Sequence, residues 1–215
     1  LRRAGLPTPG GLLLPAEVDD DAVAQALGRL AGEGPWSVRS SAQREDQPHT
    51  TGAGLFQTEL EVPRAGLRAA VRRVRASAHD GALGGRIDVL VQPMIRRTVG
   101  GVAWVRAIGA DLEIGAGGAE AVVEGRAGLV RASLSELGTP WREIPLEMPG
   151  PLHASTLEQE LWPLLKRAHA LFGLPAIDVE WCYHPQEGFT LLQARPLVRG
   201  LEPRRLLTSA NIEEI

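Results

Sequence analysis

Asp178-Val179-Glu180-Trp181 and Leu192-Gln193-Ala194-Arg195-Pro196, separated by a polar turn, are the part of this chain on which its fold turns. Residues two apart on a strand share a face. Asp178 and Glu180 therefore point one way, while Ile177, Val179 and Trp181 point the other. On the returning run Gln193 and Arg195 share a face, with Leu192 and Ala194 opposite. His184, Pro185, Gln186, Glu187 and Gly188 are turn formers, so the pair should be an antiparallel hairpin. A loop over His184–Phe189 would set Glu180 across from Gln193 and Asp178 across from Arg195. Two carboxylates, an amide and a guanidinium then converge on a wall backed by apolar side chains. Hard oxygen ligands of this kind suit Mg²⁺ held together with substrate phosphates, and a guanidinium beside them neutralises phosphate charge beyond the metal's reach. The same spacing equally describes a surface hairpin with a cross-strand salt bridge, which contributes little.

The chain has 215 residues, 44% of them hydrophobic and 23% charged. That length allows one large domain or two small lobes sharing a cleft. A formal net charge of −3 gives no reason to expect nucleic acid or an anionic membrane as partner. The thin aromatic set of five Trp, three Phe and one Tyr does not interleave with any basic stripe. Cys182 is the single cysteine, which excludes an internal disulfide and a cysteine metal cluster and fits a reducing cytoplasm. No apolar run approaches the ~18 residues of a membrane span. The opening Leu1-Arg2-Arg3-Ala4-Gly5 has neither a hydrophobic signal core nor a methionine, as expected of a processed or trimmed version of something longer.

Along the chain, Gly5–Gly11 reads as a Pro/Gly elbow and Leu12–Leu14 as a short buried strand. Asp19–Asp21 mark a helix start before Val23, Leu27 and Leu30, which are spaced for one helical face. Pro35–Ser41 reads as a strand running into a polar loop. Leu67–Ala76 reads as a helix whose Arg68, Arg72, Arg73 and Arg75 form a solvated basic face. Ile87–Gln92 is a β-branched strand. Gly101–Ile108 and Ala121–Glu124 read as strands with Gly115–Gly118 a flexible turn between them, and residues 126–152 as irregular. Leu157–Phe172 reads as a helix with Leu161, Leu164, Leu165, Ala168 and Leu171 on its apolar face. Strands and helices mix without a regular βαβ alternation, which argues for an α+β fold.

A second concentration of chemistry runs from Val38-Arg39-Ser40-Ser41 through Glu45-Asp46 to Thr50-Thr51-Gly52-Ala53-Gly54. Gly, Ala and Thr let backbone N–H groups approach an anion closely and converge on it. Hydroxyls of Thr50, Thr51 and Thr58 would add donors, and Arg39 a permanent cation at the rim. No Gly-Lys-[Ser/Thr] follows, so this is not a P-loop, and no G-x-G-x-x-G opens a helix here. An ordinary hairpin turn explains the Gly-Ala-Gly about as well.

Together these stretches resemble, in order and over nearly the whole chain, the N-terminal nucleotide-binding domain of the phosphoenolpyruvate synthase and pyruvate phosphate dikinase family. Gly5-Leu6-Pro7-Thr8-Pro9 is similar to its leading elbow. Val38-Arg39-Ser40-Ser41, Glu45-Asp46, Ala53-Gly54 and Thr58 are similar to its R-S-S…E-D…A-G…T signature. Val91-Gln92-Pro93-Met94-Ile95 resembles its lobe-joining V-Q-x-M-V, and Gly101-Val102 the strand after it. Glu120-Ala121-Val122-Val123 with Gly125 resembles its G-x-G-E-x-V-V-x-G loop. Asp178–Trp181 and Leu192–Pro196 match D-I-E-W and L-Q-x-R-P, and Asn211-Ile212-Glu213 looks like its exit linker. Rifampicin phosphotransferases and glucan water dikinases carry similar ATP-binding halves.

The resemblance implies a divergent ATP-grasp fold: an N-terminal lobe over residues 1–95 and a C-terminal lobe over 96–215, with antiparallel sheets gripping a nucleotide cleft. It implies ATP and Mg²⁺ as ligands. Asp178, Glu180 and Gln193 would bind the metal, and Arg39 and Arg195 the phosphate oxygens. Gly52, Ala53 and Gly54 would cover the phosphates. Gln92, Met94 and Ile95 would line the adenine slot, with a backbone N–H and C=O reading the base edge, and Glu120 would join the nucleotide contacts. The implied reaction passes a phosphoryl group from ATP to a histidine on a separate phosphocarrier domain, in the same polypeptide or a partner. None of His49, His79, His153, His169 or His184 has the Gly-Gly and Thr-Ser context of that histidine. The family's lysine would precede Leu1, Ala119 stands where the second glycine is usual, and several connecting segments are short. A nucleotide-sensing module that binds ATP without transferring phosphate is the alternative implied by those departures.

Overall fold

Alternation of apolar and polar residues builds two separate antiparallel sheets. The computed structural model describes residues 1–41, 58–77, 87–117, 119, 122, 129–140 and 152–197. Its two compact units are Pro9–Ile95 on one hand, and Leu1–Thr8 with the chain from Arg96 onward on the other. Leu1–Thr8, expected with the N-terminal lobe, belong instead to the second unit. Leu6 is buried in that unit's core, the Pro7 carbonyl accepts the Leu191 N–H at 2.8 Å, and the Ala4 carbonyl accepts Arg167 Nη2 at 3.0 Å.

In the unit Pro9–Ile95 the strands are β1 (Leu12–Leu14), β2 (Trp36–Ser41), β3 (Thr58–Val62) and β4 (Asp88–Pro93), in the order β1-β4-β2-β3. Helices α1 (Asp20–Gly28) and α2 (Leu67–Ser77) contribute to one core with them. Val23 and Leu27 of α1 and Leu67, Ala70, Val71 and Val74 of α2 meet Leu14, Trp36, Val38, Val89 and Val91 there. The apolar face of the sheet follows from the alternation of Trp36 and Val38 along β2 and of Val89 and Val91 along β4.

Asp19 caps α1, its carboxylate accepting the N–H groups of Asp21 and Ala22 at 3.1 and 2.8 Å. Asp19→Ala should destabilise this unit by about 1 kcal/mol, the usual contribution of a side-chain cap; an unchanged denaturant midpoint would remove the cap's role. The arginines of α2 form an exposed face, as the sequence suggests, and are paired there. Arg72 pairs with Asp20, Arg73 with Glu59 on β3 at 2.7 Å, and Arg75 donates to the carbonyls of Val18 and Pro15.

The Arg73 hydrogen bonds hold the Glu59 carboxyl below its usual range. A lowered folded value stabilises the native state above the ordinary glutamate range, and that contribution disappears as pH falls through the lowered value. Arg73→Ala should therefore flatten the loss of stability with acid, seen in pH-dependent chemical denaturation. Superimposable curves for the two proteins would contradict it.

The second unit carries β5 (Val99–Arg106), β6 (Gly109–Ala116), β7 (Val130–Ser135), β8 (Ala176–His184) and β9 (Gly188–Pro196), in the order β7-β6-β5-β8-β9. Strand β6 takes in Gly115 and Ala116 of the expected flexible turn, and β7 lies in the stretch expected to be irregular. Of the expected strand Ala121–Glu124 only Val122 is described, and it is helical and buried. A helical turn Ala154–Thr156 and a π turn Leu157–Leu161 lead into α3 (Trp162–Phe172), which ends at Gly173 in the left-handed conformation. Leu157, Leu161, Trp162, Leu165 and Ala168 pack on Val105, Leu112, Ile177, Val179 and Trp181. Leu171, expected on the apolar face, is exposed instead. No helix among the described residues is long and apolar enough to cross a membrane.

Candidate functional site

Strands β8 and β9 pair with Asp178 opposite Arg195 and Glu180 opposite Gln193. That is the pairing the sequence suggests, reached by another route. The strands run further into the turn than expected, pairing His184 with Gly188 and Tyr183 with Phe189. Gly188 has φ 76°, a left-handed conformation that glycine takes without a Cβ penalty. Continued unchanged, that register would offset the polar residues by one. A shift between Glu180 and Trp181 restores it, because Trp181 pairs with Leu191 and Glu180 with Gln193, which leaves Leu192 as the extra residue of a bulge.

The core side of the hairpin is anchored by aromatic contacts. Phe189 meets Trp181 edge-on at 5.5 Å and Tyr183 at 4.7 Å between ring centroids. On the other side Arg195 Nε donates to Asp178 Oδ2 at 3.0 Å, and Nη2 lies 2.9 Å from the same oxygen in an ion pair.

Residues paired across the remaining strands extend this polar face. One row runs Arg195, Asp178, Trp104, Asp111, Ser133, and the next runs Gln193, Glu180, Val102, Glu113, Arg131. Asp111 Oδ2 accepts both Nη atoms of Arg106 at 3.0 Å, and its Oδ1 accepts the Ser133 hydroxyl at 2.7 Å. Buried Glu113 accepts Arg131 Nε at 3.0 Å. Sequence reasoning missed Asp111, Glu113, Arg131 and Ser133, although their period-two alternation with Ala110, Leu112, Ile114, Val130, Ala132 and Leu134 was a usable signal.

In the other unit Arg39 lies on β2 between Thr58 of β3 and Leu90 of β4, on the sheet face away from buried Val38 and Val91. Gln92 pairs with Ser37 on that same face. It is buried, and its amide donates to the Pro9 carbonyl at 3.3 Å. The Met94 N–H donates to the Pro35 carbonyl at 2.9 Å, so it is not the group that would read a base edge. Met94 and Ile95 follow β4 and are half-buried. Gly52, Ala53, Gly54 and Glu120 lie outside the described residues.

Among the described residues no group of three or more His, Cys, Asp or Glu could hold a metal. Mg²⁺ does not need one, since it keeps several waters and takes one or two carboxylates plus phosphate oxygens. Glu180 with the Gln193 carbonyl opposite fits that demand.

The chain is 31% identical over 230 aligned positions to a rifampicin phosphotransferase from a Streptomyces species, a match covering 87% of this chain and 26% of that protein. It thus spans about a quarter of the length of the curated relative it matches. Among solved structures, a dinucleotide forming acetyl-coenzyme A synthetase from Ca. Korarchaeum cryptofilum superposes with a TM-score of 0.56 at 14% identity, covering 92% of this chain and 89% of that one. D-Alanine-D-alanine ligase from Helicobacter pylori gives a TM-score of 0.50 at 13% identity, over 93% of this chain and 51% of that one. The chain has an ATP-grasp fold and is similar in sequence to part of a rifampicin phosphotransferase. PH1788 from Pyrococcus horikoshii Ot3 shares the module's fold with a TM-score of 0.55 at 16% identity, covering 90% of this chain and 85% of that one. No protein-family model matches the module.

Proposed function

We propose that this ATP-grasp module binds Mg·ATP and donates a phosphoryl group from it to a histidine on a separate phosphocarrier domain. The observation that supports the reading best is the β8–β9 pairing, which gathers Asp178, Glu180, Gln193 and Arg195 on the polar face of one sheet. Phosphoryl transfer asks a protein for positioning and charge neutralisation more than for covalent chemistry, and this is the chemistry those side chains have.

In this reading Glu180 and Gln193 hold Mg²⁺, which when bound neutralises charge on the phosphate oxygens. Arg195 donates to phosphate oxygens from β9, and Arg39 on β2 is a further phosphate contact in the same reading. Gln92, Met94 and Ile95 are the adenine contacts, Gly52, Ala53 and Gly54 the phosphate cover, and Glu120 a further nucleotide contact. The rifampicin phosphotransferase relative makes transfer the better reading than storage of nucleotide.

Thermal-shift titration with Mg·ATP and with a non-hydrolysable analogue tests binding, and ³²P transfer to a phosphocarrier domain tests the reaction. Stabilisation by both nucleotides with label appearing on histidine is the expected result. Binding without transfer would make the module a nucleotide sensor, and absence of binding would end the proposal.

A further inference from the structure

We propose that Asp178 is a positioning residue for Arg195 rather than a metal ligand, an inference that rests on the Mg·ATP reading and refines one of its residues. Asp178 Oδ2 accepts a hydrogen bond from Arg195 Nε at 3.0 Å and lies 2.9 Å from Nη2 of the same guanidinium in an ion pair. The carboxylate side chain is 10% exposed and the guanidinium side chain 39%. A ligand approaching from solvent therefore meets the cation first, with the anion beneath it.

The same device recurs on this face. Asp111 takes both Nη atoms of Arg106, and Glu113 takes Nε of Arg131. Here carboxylates serve to set guanidinium planes. A planar guanidinium held by a carboxylate is fixed in orientation before any phosphate arrives. Arginine rotamer freedom is then lost on folding instead of on binding.

Neighbouring Glu180 differs in register. It lies opposite Gln193, whose amide carries a carbonyl able to ligate a cation, whereas Asp178 lies opposite a cation. Two adjacent acidic positions on one strand face thus divide the work: Glu180 for the metal, Asp178 for the arginine that meets phosphate.

The experiment is a double-mutant cycle with Asp178→Asn and Arg195→Gln, reading ATP affinity by calorimetry and the Mg²⁺ concentration giving half-maximal ATP binding. Asp178→Asn should weaken ATP by about tenfold, the order expected for a charge-assisted hydrogen bond. It should leave adenosine affinity and the Mg²⁺ midpoint within about twofold of wild type, and should add less than about twofold in the Arg195→Gln background. Asp178→Glu, which keeps the anion, should recover most of the loss.

Glu180→Gln is the contrast, and should raise the Mg²⁺ midpoint by at least about tenfold. Additive losses in the cycle, or a Mg²⁺ midpoint raised by Asp178→Asn as far as by Glu180→Gln, would overturn the positioning role while leaving Mg·ATP binding in place. Wild-type protein that binds no Mg·ATP would instead sink the reading beneath it. If Asp178→Asn loses its thermal unfolding transition, Asp178→Glu carries the cycle, and additivity with Arg195→Gln is again the overturning result.

Discussion

Glu180→Gln should lower Mg²⁺-dependent ATP affinity by about a hundredfold, equivalent to about 2.7 kcal/mol. The substitution keeps the side chain's length and branching, so the strand pairing with Gln193 and Val102 has no reason to move. What it removes is the negative charge on an oxygen ligand, and Mg²⁺ sheds water reluctantly unless an anionic oxygen replaces it. The loss should appear in the presence of Mg²⁺ and shrink towards nothing when ATP binding is measured in EDTA. Calorimetry at several Mg²⁺ concentrations checks it. Affinity within threefold of wild type at all of them would place the metal elsewhere.

Gly101→Ala should be the most destabilising small substitution in the second unit. A Cβ at Gly101 would stand 2.4 Å from the Glu113 carbonyl oxygen and 2.7 Å from Trp181 Cζ2. Neither neighbour can yield cheaply. The carbonyl belongs to β6, paired with β5 along its length, and the fully buried Trp181 ring packs edge-on against Phe189. Overpacking of this kind costs about 3 kcal/mol, which for a domain of this size lowers Tm by roughly 6–12 °C. Differential scanning calorimetry would show it, and a Tm equal to wild type would mean that the sheet accommodates the methyl group. Because Glu113 belongs to one polar row and Trp181 is the chain neighbour of Glu180, the variant should also weaken ATP beyond what its stability loss explains.

Much of the candidate site was readable from alternation alone. Asp178, Glu180, Gln193 and Arg195 sit two apart within their runs, and period two fixes their shared face whatever the turn between them does. The turn was the weak point. Its true length differs from the sequence estimate by one register step, which the bulge at Leu192 cancels, and a bulge leaves no composition signal as clear as an Asn-Gly turn does.

Strand β6 was hidden for a different reason. Gly115–Gly118 reads as a flexible turn, and the alternation of Ala110, Leu112 and Ile114 with Asp111 and Glu113 goes unused beside it. An interior position between β7 and β5 supplied the pairing on both sides that the local composition does not favour. Leu171 failed as a core residue because the buried stripe of the last helix shifts toward Leu157, Leu161 and Trp162, where a π turn rotates the apolar face. The destination of Leu1–Thr8 was unreadable in principle, since a Pro/Gly segment carries no periodicity to say which core it joins.

That early segment bears on how the protein should be cut. A fragment starting at Arg96 would be a natural choice for expressing the second sheet by itself, yet it discards the Leu6 side chain that fills part of the core and the carbonyl that receives the Leu191 amide. Such a fragment would begin life with an apolar hollow and an unmatched edge beside the very strand that carries Gln193 and Arg195. Supplying residues 1–8 as a separate peptide, or splicing them through a short linker in place of Pro9–Ile95, is the design that keeps that strand dressed.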